Sequence, residues 1–233
     1  MSLIIALYVP TGIVVSADSR TIGTRQINTP NPQDPSQTIQ VQTNIVLSDH
    51  ADKVFEVYGR FGIGAFGDAL VNNMPIAHYV EQFEHHYADN RPSSTEELAN
   101  NLLNYFRKFA PIPKVSFVVV GYDDNTPFIY GVNVAENNKE RYNVKPDGSI
   151  NYSIVRGGEA DIVNRLLSQP EFNPPFQVMN LQDAVDYSRH LIRSTIDQMR
   201  YEPRFPNVGG SIDTLLVTST GARFLKKKDI ECS

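Results

Sequence analysis

The chain contains 233 residues, of which 41% are hydrophobic and 20% are charged, and its formal net charge is −5. These values are ordinary for a globular protein and allow one domain with a substantial core. The negative charge argues against nucleic acid or an anionic membrane surface as the main partner. The longest apolar run, near Val115 to Val120, is too short to span a bilayer. We therefore expect a single domain over residues 1–233 that binds neither nucleic acid nor a membrane.

Cysteine usage bears on the cellular compartment. The single cysteine, Cys232, cannot form an internal disulfide. A strand predicted to start at residue 2 leaves no room for a secretory segment before it. We therefore expect a cytoplasmic protein in which Cys232 is an inert tail residue.

The first 20 residues predict two short strands joined by a tight turn. Leu3 to Val9 and Ile13 to Ala17 are apolar and rich in β-branched residues, and Pro10-Thr11-Gly12 separates them. If Met1 is removed, Ser2 carries a hydroxyl and a free α-amino group on one residue. This combination is an activated nucleophile, because the amine can act as the base for the hydroxyl.

The segment from about 23 to 43 is polar and contains three prolines, Pro30, Pro32 and Pro35. Regular structure is therefore not expected in its middle, and we interpret it as a loop insertion. A surface or subunit-contact loop is the simpler interpretation. A lid or pore element on the substrate side is the alternative.

The remaining chain predicts a hairpin, two helices, a meander of strands, two further helices and two final strands. Ser94 or Thr95 is a plausible N-cap for the second helix. Strands on both sides of helical pairs are typical of an α+β protein whose helices cover stacked sheets. The predicted elements are a hairpin over 53–66, helices over 68–88 and from 95 to before Pro111, strands over 115–122, 128–134, 142–144 and 152–155, helices over 159–167 and 181–199, and strands over 211–218 and 222–225.

Other charged or histidine-rich positions carry simpler interpretations. His85 and His86, with Glu81 and Asp89, have a spacing that would suit metal ligands, but a solvated helix face is the favoured interpretation. Glu159 and Asp161 are interpreted as carboxylates of an early helix turn, and Lys226, Lys227 and Lys228 as a solvated tail. The sequence thus predicts neither a metal nor a cofactor.

An ordered set of motifs runs across nearly the whole chain. Its segments are Ser2, Thr11-Gly12, Ala17-Asp18-Ser19-Arg20, Lys53-Val54-Phe55, Gly62 to Ala69, Val115 to Tyr122, Gly209-Gly210, Ile212 to Thr218 and Gly221-Ala222. This ordered set resembles the β subunits of proteasomes, and within them the bacterial ancestral-β-subunit proteins. The short stretch before the first strand is unlike the α subunits, which begin with a helix.

This resemblance implies the fold of N-terminal-nucleophile (Ntn) hydrolases, a four-layer αββα sandwich of two antiparallel sheets flanked by helices. It also implies self-association into a ring or spiral homo-oligomer, without identifying any unfoldase partner. Carried over by motif, Ser2 is the nucleophile, Asp18 and Lys53 are the buried carboxylate and lysine, and Gly64 supplies the amide of the oxyanion hole. The implied reaction is cleavage of a peptide or amide bond through an acyl-enzyme on Ser2.

The implied chemistry agrees with the residue types. An α-amino group has an ordinary pKa of about 7.7–8.0, so it is partly neutral near pH 7 and can accept a proton. The positive charge of Lys53 would lower the pKa of that amine further, and Asp18 would keep the lysine paired. A backbone N–H would stabilise the oxyanion, worth roughly 3–4 kcal/mol in comparable sites.

Three departures from the family pattern favour an alternative. Serine replaces the usual threonine, the segment Arg156-Gly157-Gly158 lacks a serine, and no aspartate precedes Gly209-Gly210, where Asn207 stands as a substitute hydrogen-bonding residue. The alternative is a catalytically inactive structural subunit that assembles into rings or spirals for a partner. A third interpretation is a hydrolase of small-molecule amides on the same fold.

Overall fold

The computed structural model describes residues 2–228, so the predictions for Met1 and Cys232 lie outside the described residues. This part of the chain is an α+β structure of antiparallel sheets and α-helices. Its strands are β1 (Leu3–Val9), β2 (Gly12–Asp18), β3 (Thr21–Asn31), β4 (Asp34–Ser48), β5 (Val54–Val57), β6 (Phe61–Gly67), β7 (Leu70–Val71), β8 (Met74–Pro75), β9 (Val115–Asp123), β10 (Thr126–Asn133), β11 (Asn138–Arg141), β12 (Ser153–Gly158), β13 (Ile212–Thr218) and β14 (Gly221–Lys226). Its helices are α1 (Ile76–His86), α2 (Thr95–Phe106), α3 (Asp161–Leu166) and α4 (Leu181–Met199), with one 3-10 turn at Pro170–Phe172. None of the helices between residues 2 and 228 is long and apolar enough to cross a membrane.

Two five-stranded sheets form the body of the protein. The first has the order β12-β1-β2-β13-β14, and the second has the order β11-β10-β9-β6-β5. All neighbouring strands in both sheets are antiparallel. Because β1 lies inside the first sheet, the residue that precedes it, Ser2, is held next to the sheet.

Strand β1 buries both of its faces, which explains its unbroken apolar sequence. Side chains of successive strand residues point to opposite faces. Ile4 and Ala6 pack between the two sheets in a cluster that includes Val118, whereas Leu3 and Ile5 pack against α3 and α4. Full burial of one such side chain contributes about 1.5–3 kcal/mol. The packing therefore fixes the strand that positions Ser2.

The second sheet is covered on its other face by α1 and α2. Phe83 of α1, Phe106 of α2 and Phe117 of β9 are fully buried in this cluster. The predicted N-cap of α2 is confirmed, since the Ser94 hydroxyl accepts a hydrogen bond from the N–H of Glu97 at 3.1 Å. Apolar clusters thus lie between the sheets and beneath each pair of helices.

The first helix begins later than the sequence predicted. Residues 68–75 contain the two-stranded ribbon of β7 and β8, and α1 starts only at Ile76. Asn72 and Asn73 join the two strands with positive φ angles of 47° and 64°. Consecutive positive φ values are typical of a tight hairpin turn, and asparagine adopts them readily. The predicted helix is therefore wrong over residues 68–75 and confirmed from Ile76 onward.

The segment from 23 to 43 is a hairpin and not an irregular loop. Strands β3 and β4 pair from Thr21 with Ser48 to Asn31 with Asp34, with register shifts after Thr21 and after Pro30, and we call this hairpin, residues 21–48, the arm. Pro30 and Pro32 lie near its tip, where proline does not interrupt a central ladder. The spacing of the prolines misled the prediction, because the strands continue to the turn.

Smaller differences concern the meander after β10. The predicted strand at 142–144 is reduced to one bridge between Val144 and Ile150, and the regular strand is β11. The helix predicted over 159–167 is α3 and starts at Asp161. The prediction for 181–199 is confirmed as α4.

Candidate active site

Ser2 is buried beside the end of β12. Its carbonyl oxygen accepts a hydrogen bond from the N–H of Glu159 at 2.8 Å. Gly158 packs directly against that carbonyl with a φ of +84°, and a Cβ atom at position 158 would overlap the Ser2 oxygen. Only glycine tolerates both conditions. The backbone of Ser2 is therefore held by Gly158 and Glu159, at the end of the Arg156-Gly157-Gly158 segment that lacks a serine.

Asp18 and Lys53 form the buried pair that the sequence predicted. Asp18 Oδ1 accepts hydrogen bonds from Lys53 Nζ at 2.8 Å and from the N–H of Leu3 at 2.9 Å. Its Oδ2 accepts from the N–H groups of Arg20 at 3.1 Å and Gly209 at 3.0 Å. One carboxylate therefore joins the lysine, the residue after Ser2 and the glycine pair.

The ammonium group of Lys53 is held on two sides. Besides Asp18, it donates to the carbonyl oxygen of Arg20 at 2.6 Å. Burial lowers the pKa of Lys53, the charge of Asp18 opposes that effect, and the positive charges of Lys228 and Arg20 lower the pKa further. Lys53 is thus a buried lysine whose pKa depends on three neighbouring charges, those of Asp18, Lys228 and Arg20.

Arg20 fixes the loop that follows β2. Its guanidinium binds Asp49 through two parallel contacts, 2.7 Å from Nε and 2.9 Å from Nη2, and Nη1 donates to the carbonyl of Pro206 at 3.1 Å. Bidentate pairs of this kind restrict orientation as well as distance. The Ala-Asp-Ser-Arg motif therefore connects β2 with the segment before Gly209.

The structure commits the amide of Gly64 to the sheet, which corrects the prediction that it faces Ser2. Amides of successive strand residues point in alternate directions. Ala65 donates to the carbonyl of Lys53 on the β5 side at 2.8 Å, whereas Asp68 donates at 3.0 Å to the carbonyl that precedes β9. The amide of Gly64 therefore points to β9, where this residue is paired with Val118.

Gly67 is the glycine of this stretch whose amide direction suits the site. Gly67 lies three residues after Gly64, and an odd separation along a strand reverses the direction in which the backbone N–H points. The N–H of Gly67 is therefore directed away from β9, to the side of β5 and beyond the start of that strand. Gly67 lines a cavity with Ser2 and has a φ of +104°. The sequence motif contained both glycines, and only the register of β6 shows which of the two amides is paired with β9.

Ser2 and Lys53 line the same cavity, whose volume is about 370 Å³. Most of its wall is apolar, two carboxylates stand among the lining groups, and the base of the arm supplies one side. The apolar lining residues are Leu47, Ala51, Ala65, Phe66, Ala69, Leu70, Pro75, Ile76 and Ala77; the polar ones besides Ser2 and Lys53 are Thr21, Ser48, His50, Asp52 and Asp68.

A second cavity of about 340 Å³ lies on another side of Ser2 and is lined by Phe66, Gly67, Gly158 and Glu159, among others. Ser2 therefore borders two depressions, and Phe66 borders both of them.

Lys228 is partly buried and ion-paired, so the prediction of a solvated tail is wrong for this lysine. Its side chain is 10% exposed, and its ammonium contacts Asp213, Asp52 at 2.9 Å and the hydroxyl of Ser19 at 3.4 Å. Asp213 is itself buried in β13. A second lysine–aspartate pair thus lies close enough to Lys53 to lower its pKa. The feature of the sequence that could have indicated this pair is Asp213, an aspartate inside the apolar strand β13.

Ion pairs also surround Glu159, which lines the second cavity beside Ser2. Arg204 binds Glu159 at 2.8 Å and Asp161 at 2.9 Å, and Asn207 Nδ2 lies 3.4 Å from Glu159 Oε2. Glu159 lies just before α3 and not within its first turn. Asn207 therefore contacts Glu159, whose N–H donates to the carbonyl oxygen of Ser2. It does so although no aspartate occupies the segment before Gly209.

The histidines of α1 lie away from this site on an exposed face. His85 Nδ1 contacts the carbonyl of Glu81 at 2.8 Å within the same helix. Among residues 2–228, no three histidine, cysteine or acidic side chains are grouped so that they could hold a metal ion.

Comparison with known proteins adds no assignment to this geometry. No model of a known protein family matches the chain, and no curated protein sequence matches it.

Proposed function

We propose that the protein is an N-terminal-serine amide hydrolase of the proteasome type, with Ser2 as its nucleophile and peptide or related amide bonds as substrate. One observation carries the proposal. Asp18 Oδ1 binds both Lys53 Nζ and the N–H of Leu3, so the buried ammonium is held one residue from Ser2, and both Ser2 and Lys53 line one cavity.

The first step requires a free α-amino group on Ser2, hence removal of Met1. The Ser2 Oγ attacks the carbonyl carbon of the amide while the α-amine takes the hydroxyl proton. The charge of Lys53 disfavours the protonated amine and so keeps more of it in the basic form. The carbonyl oxygen becomes an oxyanion, and we assign the N–H of Gly67 as its donor.

The second step returns the proton. Collapse of the tetrahedral intermediate breaks the carbon–nitrogen bond, and the leaving amine takes the proton from the α-ammonium group. Water then attacks the ester on Ser2, the α-amine accepts its proton, and release of the carboxylic acid restores the hydroxyl. Asp18 keeps Lys53 paired throughout, because an isolated buried ammonium would be costly.

We infer that the two sheets and the helices form the four-layer αββα sandwich of Ntn hydrolases. Apolar clusters between the sheets and beneath each pair of helices support this arrangement. It places the start of β1 beside β12 and the glycine pair, where an N-terminal nucleophile would act.

The lining of the larger cavity supports a substrate with an apolar side chain next to the scissile bond. Nine of its sixteen lining residues are apolar, among them four alanines, Leu47, Phe66 and Ile76. The carboxylates Asp52 and Asp68 in the same wall would repel an acidic side chain. We therefore expect an apolar residue to be preferred over an acidic one.

The test is covalent labelling with a peptide epoxyketone of apolar sequence, which condenses with both the hydroxyl and the amine of an N-terminal nucleophile. Intact-mass analysis first establishes that Met1 is absent. We expect one adduct per chain, mapped to Ser2. Two matched controls should stay unlabelled: Ser2→Ala, and a chain with a lysine inserted between Met1 and Ser2, which keeps the hydroxyl but prevents Met1 removal. Absence of labelling in the processed parent would contradict the proposal.

The second candidate is a catalytically silent subunit that serves an assembly. It is favoured by the segment against Ser2, where Gly157 and Gly158 offer no hydroxyl, and by Asn207 where an aspartate is expected. A processed chain that carries a free Ser2, folds normally and resists the epoxyketone would support it.

A further inference from the structure

A groove of about 890 Å³ runs along α4, and we call it the basic groove. Its walls come from α4, from the loop between β4 and β5, from the start of β13 and from the end of β14. It is larger than either cavity beside Ser2. Neither Ser2 nor Lys53 lines it, so the proposed reaction does not account for it.

The basic groove carries more cations than anions. The permanent cations that line it are Arg189, Arg193, Arg200 and Lys226. Two carboxylates line it as well, and Arg20 already binds one of them, Asp49, at 2.7 Å. Asp197 is then the one carboxylate set against four cations. The groove is therefore a positively charged region of a protein whose net charge is −5.

The four cations of the basic groove form no ion pair with any residue between 2 and 228. Elsewhere in the protein Arg60 and Arg204 are bound to carboxylates of the chain. Arg193, Arg200 and Lys226 are exposed and open to a ligand. Like charges held near one another repel, so an anion that binds between them relieves that repulsion.

The arginines of the basic groove lie along one line of α4. Arg193 follows Arg189 by four residues and Arg200 follows it by eleven, and at 3.6 residues per turn these three positions share one face. They extend over about 16 Å of the helix, because each residue adds about 1.5 Å. About five residues of an extended peptide cover the same length. Guanidinium groups bind carboxylates through two parallel hydrogen bonds, so this row suits several carboxylates in succession.

The basic groove adjoins the cavity of about 370 Å³ that Ser2 and Lys53 line, because His50 lines both. The balance of charge in that cavity is the opposite one. It is lined by one cation, Lys53, and by two carboxylates, Asp52 and Asp68. A carboxylate of a bound peptide is therefore repelled next to Ser2 and attracted on the other side of His50.

We propose that the basic groove binds an acidic segment of the peptide substrate while the residue next to the scissile bond occupies the cavity beside Ser2. This inference rests on the proposed function, since it takes the occupant to be the substrate. The preferred substrate then has an apolar residue at the scissile bond and a run of carboxylates a few residues away. Nucleic acid fits less well, because a strand longer than the groove meets a surface of negative net charge.

The first experiment measures binding without reaction, in the Ser2→Ala variant. Fluorescence anisotropy follows a labelled peptide with an apolar core and a run of about five glutamates, and a matched peptide with glutamines in their place. We expect the glutamate peptide to bind at least about tenfold more tightly at low ionic strength. That advantage should nearly vanish in about 0.5 M sodium chloride, because salt screens exposed charges.

Two variants with the same change of net charge locate the binding. Arg193→Ala/Arg200→Ala should abolish the preference for glutamate. Lys108→Ala/Arg223→Ala removes two exposed cations that do not line the basic groove and should keep the preference. Equal binding of the two peptides, or parental binding by the arginine variant, would overturn the proposal. Tighter binding of tripolyphosphate or of an oligonucleotide than of the glutamate peptide would also overturn it, because the groove would then be a phosphate site.

The second experiment tests whether the acidic segment belongs to the substrate. The processed parent is given three peptides with one apolar core, which carry glutamates before the core, glutamates after the core, or glutamines. We expect one of the two acidic peptides to have a kcat/KM about tenfold higher than the glutamine peptide, mainly through a lower KM, and Arg193→Ala/Arg200→Ala to lose this gain.

The two experiments separate failure of this inference from failure of the proposed function. Cleavage of all three peptides at one rate would show that the basic groove does not hold the substrate. Binding of the glutamate peptide without cleavage of any peptide would contradict the proposed function, and with it the identification of the occupant as substrate.

Discussion

Asp18 Oδ1 lies 2.8 Å from Lys53 Nζ and, at 2.9 Å, also binds the amide that follows Ser2. This single oxygen fixes the distance between the start of the first strand and the buried cation. Because β1 and β2 are paired along their length, Asp18 at the end of β2 is held beside the start of β1. Lys53 reaches Asp18 from the position directly before β5 of the second sheet.

Replacement of Asp18 by asparagine should destabilise the protein and abolish labelling of Ser2. All four groups around the carboxylate are donors, so the asparagine NH2 would face an N–H without an acceptor, and Lys53 would lose its counter-ion. Breaking a buried pair in this way costs about 3–5 kcal/mol. Urea unfolding followed by fluorescence measures the loss.

The double variant Asp18→Asn/Lys53→Met distinguishes the effect of the ion pair on the free energy of unfolding from its effect on the reactivity of Ser2. Removal of both charges should recover much of the lost free energy of unfolding while Ser2 stays unreactive. Recovery of labelling in the double variant would show that the amine needs no neighbouring cation.

A crystal structure of the covalent adduct should place the former carbonyl oxygen within hydrogen-bonding distance of the Gly67 amide. Donors of an oxyanion hole lie about 2.7–3.1 Å from that oxygen. The amide of Gly64 should remain paired with β9. An adduct oxygen directed at any donor other than Gly67 would contradict the assignment of the oxyanion hole.

The residues that the sequence predicted best are those whose neighbours in the chain determine their environment. Leu3 to Val9 is apolar throughout because β1 is buried on both faces, and α4 was predicted with its bounds because its apolar period is uninterrupted. Asp18 and Lys53 were placed by motif, and the structure brings them into contact.

The features that the sequence did not predict depend on contacts between distant segments. Nothing local to Lys228 indicates burial, since its contacts are with Asp213 and Asp52 in other elements. The arm differs from the predicted loop because Pro30 and Pro32 lie near its tip, whereas the alternation at Ile39 and Val41 belongs to a paired strand. Gly64 and Gly67 differ only in amide direction, which requires the register of β6.

Narrowing the cavity of about 370 Å³ that Ser2 and Lys53 line should change substrate preference. Ala77→Phe fills space at the start of α1, so we expect slower labelling by epoxyketones with large apolar side chains and little change for those with alanine. Ala88→Phe, exposed beyond the end of α1, is the matched control and should behave like the parent. Equal effects on large and small reagents would place the reacting side chain elsewhere.

Stability at alkaline pH should depend on Tyr122. Burial between the sheets raises the pKa of Tyr122 to about 12, whereas an unfolded tyrosine has a pKa near 10. Between pH 10 and 12 the unfolded chain loses this proton while the folded chain keeps it, so the stabilising contribution is present below pH 10 and is lost as the pH rises. Each unit of pKa difference corresponds to about 1.4 kcal/mol.

Tyr122→Phe removes this dependence. Within the described residues the Tyr122 hydroxyl has no hydrogen-bond partner, so the variant should be at least as stable as the parent at pH 7. The difference in free energy of unfolding, variant minus parent, should grow by about 2 kcal/mol between pH 10 and 12. Tyr201→Phe, at a side chain that is 83% exposed, should show no such growth. Urea unfolding across this pH range measures both, and parallel curves for parent and Tyr122→Phe would mean that the hydroxyl is accessible to water.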